Sequence, residues 1–168
     1  MSQTSAAVSD AEFRALQDFV FMEAKFADES RYDEWEALLT DDMQYVVPAG
    51  DGHDTSAFVP SIINDNRSRL ATRLRQLRTG TRHSQAPLSV MRRLLANITA
   101  RRAAEREYEV QANFVVYEFQ TQSTNQVNTW PGQATWRIRE TPDGLRLCAK
   151  TVLLIHRSGP LPTLSFLI

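Results

Sequence analysis

Residues 19–48 constrain this chain more than any other stretch. They read as the end of one amphipathic helix, a turn, a second helix carrying Tyr32, Trp35, Leu38 and Leu39, and then a short strand. Tyr32, Trp35 and Leu39 fall at i, i+3 and i+7, so they share one helical face and are expected to be buried together. Asp33 and Glu34 sit in the first turn of that helix, where its dipole favours negative charge. Thr40-Asp41-Asp42 is predicted to stop the helix. Met43 to Pro48 then alternates with β-branched residues and is closed by proline, the pattern of a strand.

Upstream, Ser9 and Glu12 form a capping box, and Phe13, Leu16, Val20, Ala24 and Ala27 make an apolar stripe that runs to about Glu29-Ser30. Downstream, Ala49 to Ser56 has the composition of an exposed loop, with His53 solvated inside it. A third helix is expected from Arg67 to Thr79, with Asp65 or Asn66 as its cap and Gly80 as its stop. Leu70, Leu74 and Leu77 mark its apolar side, and five arginines surround them.

Strands follow. Residues 88–101, 107–121, 133–140 and 145–155 carry period-two patterns, with a strong turn at Pro142-Asp143-Gly144. In residues 107–121, Tyr108, Val110, Ala112, Phe114 and Val116 share one face. Towards the end both faces become apolar, as expected of a sheet covered on both sides. In residues 145–155 the expected apolar face is Leu145, Leu147, Ala149, Thr151, Leu153 and Ile155. Helices first and antiparallel strands afterwards give an α+β domain with helices against the concave side of a curved sheet. We expect one domain over 1–168: a disordered lead at 1–8, a mainly helical part at 9–80, the sheet at 88–156 and an apolar tail at 159–168. The tail carries Leu161, Leu164, Phe166, Leu167 and Ile168, so it must dock on its own sheet or on a partner subunit.

The formal net charge of −1 hides a segregation. Residues 1–66 carry −11, residues 67–106 carry +10, and the remainder is neutral. Mutual neutralisation, within or between subunits, accounts for this better than a nucleic-acid interface. No apolar run is long enough for a membrane span, and no secretory signal precedes the first helix, so a cytoplasmic location is expected. The single cysteine, Cys148, excludes an internal disulfide and a thiolate metal cluster, and a small buried or half-buried role is expected of it. None of the nucleotide-loop, zinc-protease or nucleophile-elbow motifs is present. His53, His83 and His156 show no metal-ligand spacing.

Three segments carry a family resemblance. The run R-Y-D-E-W-x-x-L-L-T-D-D-x-x-Y-x-x-P (Arg31 to Pro48) resembles the signature of the β, or small, subunits of aromatic-ring-hydroxylating dioxygenases. The run D-N-R-S-R-L-x-x-R-L-x-x-L-R-T-G (Asp65 to Gly80) and the strand containing Ser89, Arg92, Arg93 and Asn97 are similar to it too. The resemblance covers about residues 13–168 and departs at 49–64, where relatives often carry a longer segment. It implies a cone-shaped fold, nuclear transport factor-like and scytalone dehydratase-like, with helices packed on a strongly curved antiparallel sheet. It also implies a non-catalytic subunit, trimeric, capping three catalytic α subunits in a mixed hexamer. The Rieske 2Fe-2S cluster and mononuclear iron would lie in those α subunits, which take electrons from NAD(P)H and convert an aromatic ring to a cis-dihydrodiol. No cofactor is expected in this chain, because a Rieske cluster needs two cysteines and two histidines. On this view Arg67, Arg73, Arg75, Trp130, Leu164 and Phe166 are candidate subunit contacts. The rival expectation is a stand-alone dehydratase or isomerase of the same fold, with His83 and Asp28 as an acid–base pair and Tyr45 as hydroxyl donor. A small-molecule binding module is the third class.

Overall fold

Ser9 starts the first helix as the capping box predicts. Its hydroxyl accepts from the Glu12 amide at 3.3 Å, and its own amide donates to Glu12 Oε2 at 2.8 Å. In the computed structural model, which describes residues 7–50, 60–79, 89–120, 125–159 and 164–168, α1 spans Asp10–Asp28, α2 Tyr32–Ala37 and α3 Arg67–Thr79. The strands are β1 Leu39–Pro48, β2 Ser61–Asn66, β3 Val90–Ala104, β4 Glu107–Phe119, β5 Val127–Thr141 and β6 Gly144–Leu154. His53 and His83 lie outside the described residues.

The cap is tied to the sheet. Glu12 also pairs with Arg102 and accepts from the Tyr108 hydroxyl at 2.8 Å. The Ser9 amide and hydroxyl, then the Tyr108 hydroxyl, hold its carboxyl down at about 2. A depressed acid stabilises the fold fully above its unfolded value of roughly 4.3 and loses that contribution as pH falls towards 2. Glu12→Gln should therefore melt below wild type by a constant margin at pH 6–8. In paired thermal melts that margin should close between about pH 4.5 and pH 2.

Leu16, Val20, Ala24 and Ala27 are buried as the stripe predicts, and Phe13 is half-buried. The helix ends at Glu29, and Ser30 turns the chain with φ of 55°. The second helix is shorter than its spacing predicts. Tyr32 and Trp35 are buried on it, but Leu39 already belongs to β1, opposite Leu147. The Leu147 amide donates to the Leu38 carbonyl at 2.8 Å. Backbone pairing with β6 thus draws the chain out of the helix before Thr40-Asp41-Asp42 can end it.

All six strands form one sheet in the order β2-β1-β6-β5-β4-β3. Every junction is antiparallel except β1 with β6, which is parallel. Strand β2 falls in the part expected to be mainly helical, and it pairs antiparallel with β1. Asn66 nonetheless caps α3, its side-chain oxygen accepting from the Arg69 amide at 3.0 Å. Strand β5 begins six residues earlier than its alternation suggests, and so contains Trp130. The inner face of the curved sheet holds Tyr108, Val110, Ala112, Phe114 and Val116 with Trp136, Ile138 and α1 in one core.

Two irregularities in the sheet redirect side chains. Asn97 has φ of 54° where β3 slips register against β4, a left-handed position that asparagine tolerates. In β6, Ala149 pairs with Arg137 and Leu147 with Ile138, so Cys148 is the extra residue of a bulge. The bulge reverses the faces beyond it, because side chains alternate along a strand. Lys150, Val152 and Leu154 are buried in place of the expected Ala149, Thr151 and Leu153. Cys148 itself is buried and its thiol donates to the Arg137 carbonyl.

Gly132 of β5 has no room for a side chain. A Cβ there would lie 2.5 Å from the Leu153 carbonyl oxygen and 3.0 Å from the Phe114 ring. Gly132→Ala should cost about 1–3 kcal/mol, since a sheet carbonyl cannot swing aside as a side-chain end can. A denaturation midpoint equal to wild type would contradict that packing.

Candidate functional site

The bulge at Cys148 delivers an ammonium group into the centre of the cone. Lys150 Nζ sits 2.8 Å from Glu23 Oε1, and both side chains are essentially without solvent exposure. Glu23 also accepts from Trp35 Nε1 at 2.7 Å and from Trp136 Nε1 at 3.1 Å. Burial alone would raise its carboxyl, yet the charges of Lys150 and Arg93 and the hydrogen bonds from Lys150 and Trp35 bring it below its ordinary value. Burial lowers Lys150, against the opposing pull of Glu23. Each Glu23 oxygen is engaged, so the pair is a fixed ionic core rather than a base waiting for substrate. The sequence carries one signal for it: Glu23 lies within the buried stripe of α1, between Val20 and Ala27.

Beside this pair the tail turns inward. The Tyr45 hydroxyl donates to the Ile168 carbonyl oxygen at 2.9 Å and accepts from the Ile168 amide at 3.1 Å. Full burial pushes the Tyr45 phenol well above its ordinary range. Arg93 of β3 donates to the Leu167 carbonyl at 2.8 Å and pairs with Asp28 of α1 at 2.7 Å. Asp28 also accepts from the Arg93 backbone amide at 2.9 Å, so it caps an N–H of edge strand β3. Asp28 and Tyr45 are therefore both committed to holding the tail and the edge strand. His83, the expected acid–base partner of Asp28, lies outside the described residues.

Trp130 and Phe166 stack edge to face, with ring centroids 5.5 Å apart, and both are buried inside their own chain. Trp130 donates to the buried Glu118, which also accepts from the Ser89 hydroxyl. Phe166 thus docks the tail on its own sheet, one of the two places expected for it. Leu164 is half-buried against the same core. His156, the one histidine among the described residues, is half-buried near Trp130.

The segregated charges neutralise one another within the subunit. Arg67 pairs with Glu36, Arg73 with Asp65, and Arg78 with Asp33 and Glu36. Arg93 with Asp28 and Arg102 with Glu12 bring to five the arginines that link the basic block to the acidic one. Arg75 donates to Thr72 on the exposed side of α3. Among the described residues no group of three His, Cys, Asp or Glu side chains converges to hold a metal. No described helix is long and apolar enough to cross a membrane.

A sequence profile for the ring hydroxylating beta subunit matches residues 22–158. The chain belongs to that family. The β subunit is 30% identical, over 141 residues, to the small oxygenase component of the p-cumate 2,3-dioxygenase system of Pseudomonas putida, spanning 83% of this chain and 77% of that one. Among solved structures it superposes on the β subunit of benzoate 1,2-dioxygenase from Burkholderia mallei with a TM-score of 0.71 at 20% identity, covering 89% of this chain and 92% of that one. A scytalone dehydratase-type protein of Novosphingobium aromaticivorans matches at 0.65 and 15%, covering 86% and 84%. Likenesses at such identities establish the shared α+β cone and no more.

The β subunit is thus a non-catalytic part of a dioxygenase system, an oxidoreductase whose cofactors reside in the α subunit with which it associates. With one cysteine, this chain lacks the donors for a Rieske cluster. Its family-like residues serve the fold. Trp35 and Tyr45 anchor the ionic core and the tail, Asp42 meets Arg139, and Asn97 forms the bulge.

Proposed function

We propose that this β subunit forms a trimer that caps three α subunits in a cytoplasmic hexamer. The α subunits of that hexamer add O₂ across an aromatic ring to give a cis-dihydrodiol, with electrons from NAD(P)H. The supporting observation is the use of Asp28 and Tyr45. The groups a cavity enzyme would need for acid–base work are spent on the chain's own tail and edge strand. The role left to the subunit is assembly and positioning. The test is the mass of the complex that co-purifies with the chain from its native cells, read with visible absorption. A brown assembly on the order of 200 kDa with a second, larger polypeptide is expected for a standard multi-subunit association. A colourless homo-oligomer that turns over a substrate would refute the proposal.

A further inference from the structure

A cavity of about 450 Å³ lies between α1 and β3, within the size range of small-molecule sites. One wall is helical: Phe21, Ala24, Lys25 and Asp28 stand three and four apart on α1, so they share a face. The other wall is Arg92 to Leu95 of β3, the last strand of the sheet. Phe21 and Leu94 are 45% and 63% exposed, so the cavity has an apolar rim open to solvent. Three cations and two carboxylates line it. Both carboxylates are already engaged, Asp28 by Arg93 at 2.7 Å and Glu29 by Arg31 at 3.4 Å. Lys25 and Arg92 have no acidic partner among the described residues, and Arg92 donates to the neighbouring Met91 carbonyl.

Strand β3 itself shows how a carboxylate binds at this edge. Asp28 takes the Arg93 amide at 2.9 Å on one oxygen and the Arg93 guanidinium at 2.7 Å on the other. Amides two residues apart on a strand point the same way, and the register with β4 is unbroken here, so the Leu95 amide also faces away from β4. No described group accepts from it. We propose that the cavity binds a small apolar monocarboxylate. Lys25, Arg92 and the Leu95 amide hold its carboxylate as Arg93 holds Asp28, and its apolar body lies against Phe21 and Leu94. The spare charge at the cavity is positive, and a planar guanidinium matches a carboxylate. An anion with no apolar body would leave the rim in water, and a neutral molecule would leave both cations unanswered. The site lies apart from the proposed assembly and does not rest on it.

The test is calorimetric titration of the purified full chain with phenylacetate at low salt, where one saturable site is expected. Lys25→Gln and Arg92→Gln should each weaken it at least about 10-fold, the usual loss with a hydrogen bond to a charged group. Both side chains are exposed, so circular dichroism should stay unchanged. Phenylacetamide, the same shape without the charge, should bind at least about 10-fold more weakly than phenylacetate. Arg75→Gln, on the exposed side of α3, should bind as wild type does. Absence of saturable binding overturns the proposal. Equal affinities for acid and amide overturn it too, because charge then takes no part in recognition. Wild-type affinity in both cavity variants puts the site elsewhere and overturns the assignment. Inorganic phosphate bound as tightly as phenylacetate leaves a bare anion site and overturns the ligand class.

Discussion

Lys150→Met should be the most damaging single substitution in the interior, destabilising the subunit by about 3–5 kcal/mol. The physical reason is what it leaves behind. Glu23 would keep its two indole donors but lose the cation that balances it, in a place with no access to water. An isolated buried carboxylate takes up a proton rather than remain charged. In wild type, Glu23 sits below its ordinary value, so its contribution is present above the unfolded carboxylate value of roughly 4.3 and fades as pH falls through the lower folded one. In Lys150→Met the neutral acid is favoured instead, and stability should become less sensitive to acid. Replacing both partners, Glu23→Gln with Lys150→Met, should recover much of the loss, because no uncompensated charge remains. Urea unfolding at one fixed protein concentration measures all three, since self-association would otherwise shift the midpoint. A single variant within about 1 kcal/mol of wild type, close to the effect of an exposed substitution, would mean that the pair is not the ionic core described.

Arg93→Met should come next, also at about 3–5 kcal/mol, with a local consequence that the first lacks. Arg93 and Asp28 are 5% and 9% exposed as side chains, so removing the guanidinium strands a nearly buried carboxylate. It also removes the donor to Leu167, leaving the tail held by Tyr45 and the packing of Phe166 on Trp130. Limited proteolysis should then cut near residues 164–168 before the rest of the domain unfolds, because segments with few remaining bonds open first. Arg93→Lys should rescue only part of this, since an ammonium cannot reproduce the planar fork that meets Asp28 and the carbonyl together. If global stability fell while the tail kept its protease resistance, the docking of the tail would not depend on Arg93.

Lys150 and Arg93 are residues that local patterns describe poorly. Alternation along residues 145–155 assigns Lys150 to the outer face, and one inserted residue at Cys148 reverses that assignment. A bulge is decided by how two strands pair, and pairing partners lie far apart in the chain. The same holds for Leu39, whose helical spacing is sound but whose backbone is claimed by β6. Trp130 and Phe166 read only as residues that must dock somewhere, because their polar or terminal surroundings do not say on what. Tertiary packing puts them against each other, within reach of Glu118. His83 lies outside the described residues, so the geometry bears on its expected partners, Asp28 and Tyr45, and not on His83 itself.

By itself the sequence determined what depends on neighbours a few residues apart. The Ser9–Glu12 cap, the buried stripe of α1, the Asn66 cap of α3, the turn at Gly144 and the buried face of β4 are all of this kind. Short-range geometry and burial encode them directly. Its motifs also carried the family, because those residues are tied to the fold that the family shares. Only the tertiary structure decided which charges meet. Glu23 finds Lys150 across 127 positions, and Asp28 finds Arg93 across 65. Such pairs are set by sheet register and helix placement, and no local rule specifies either.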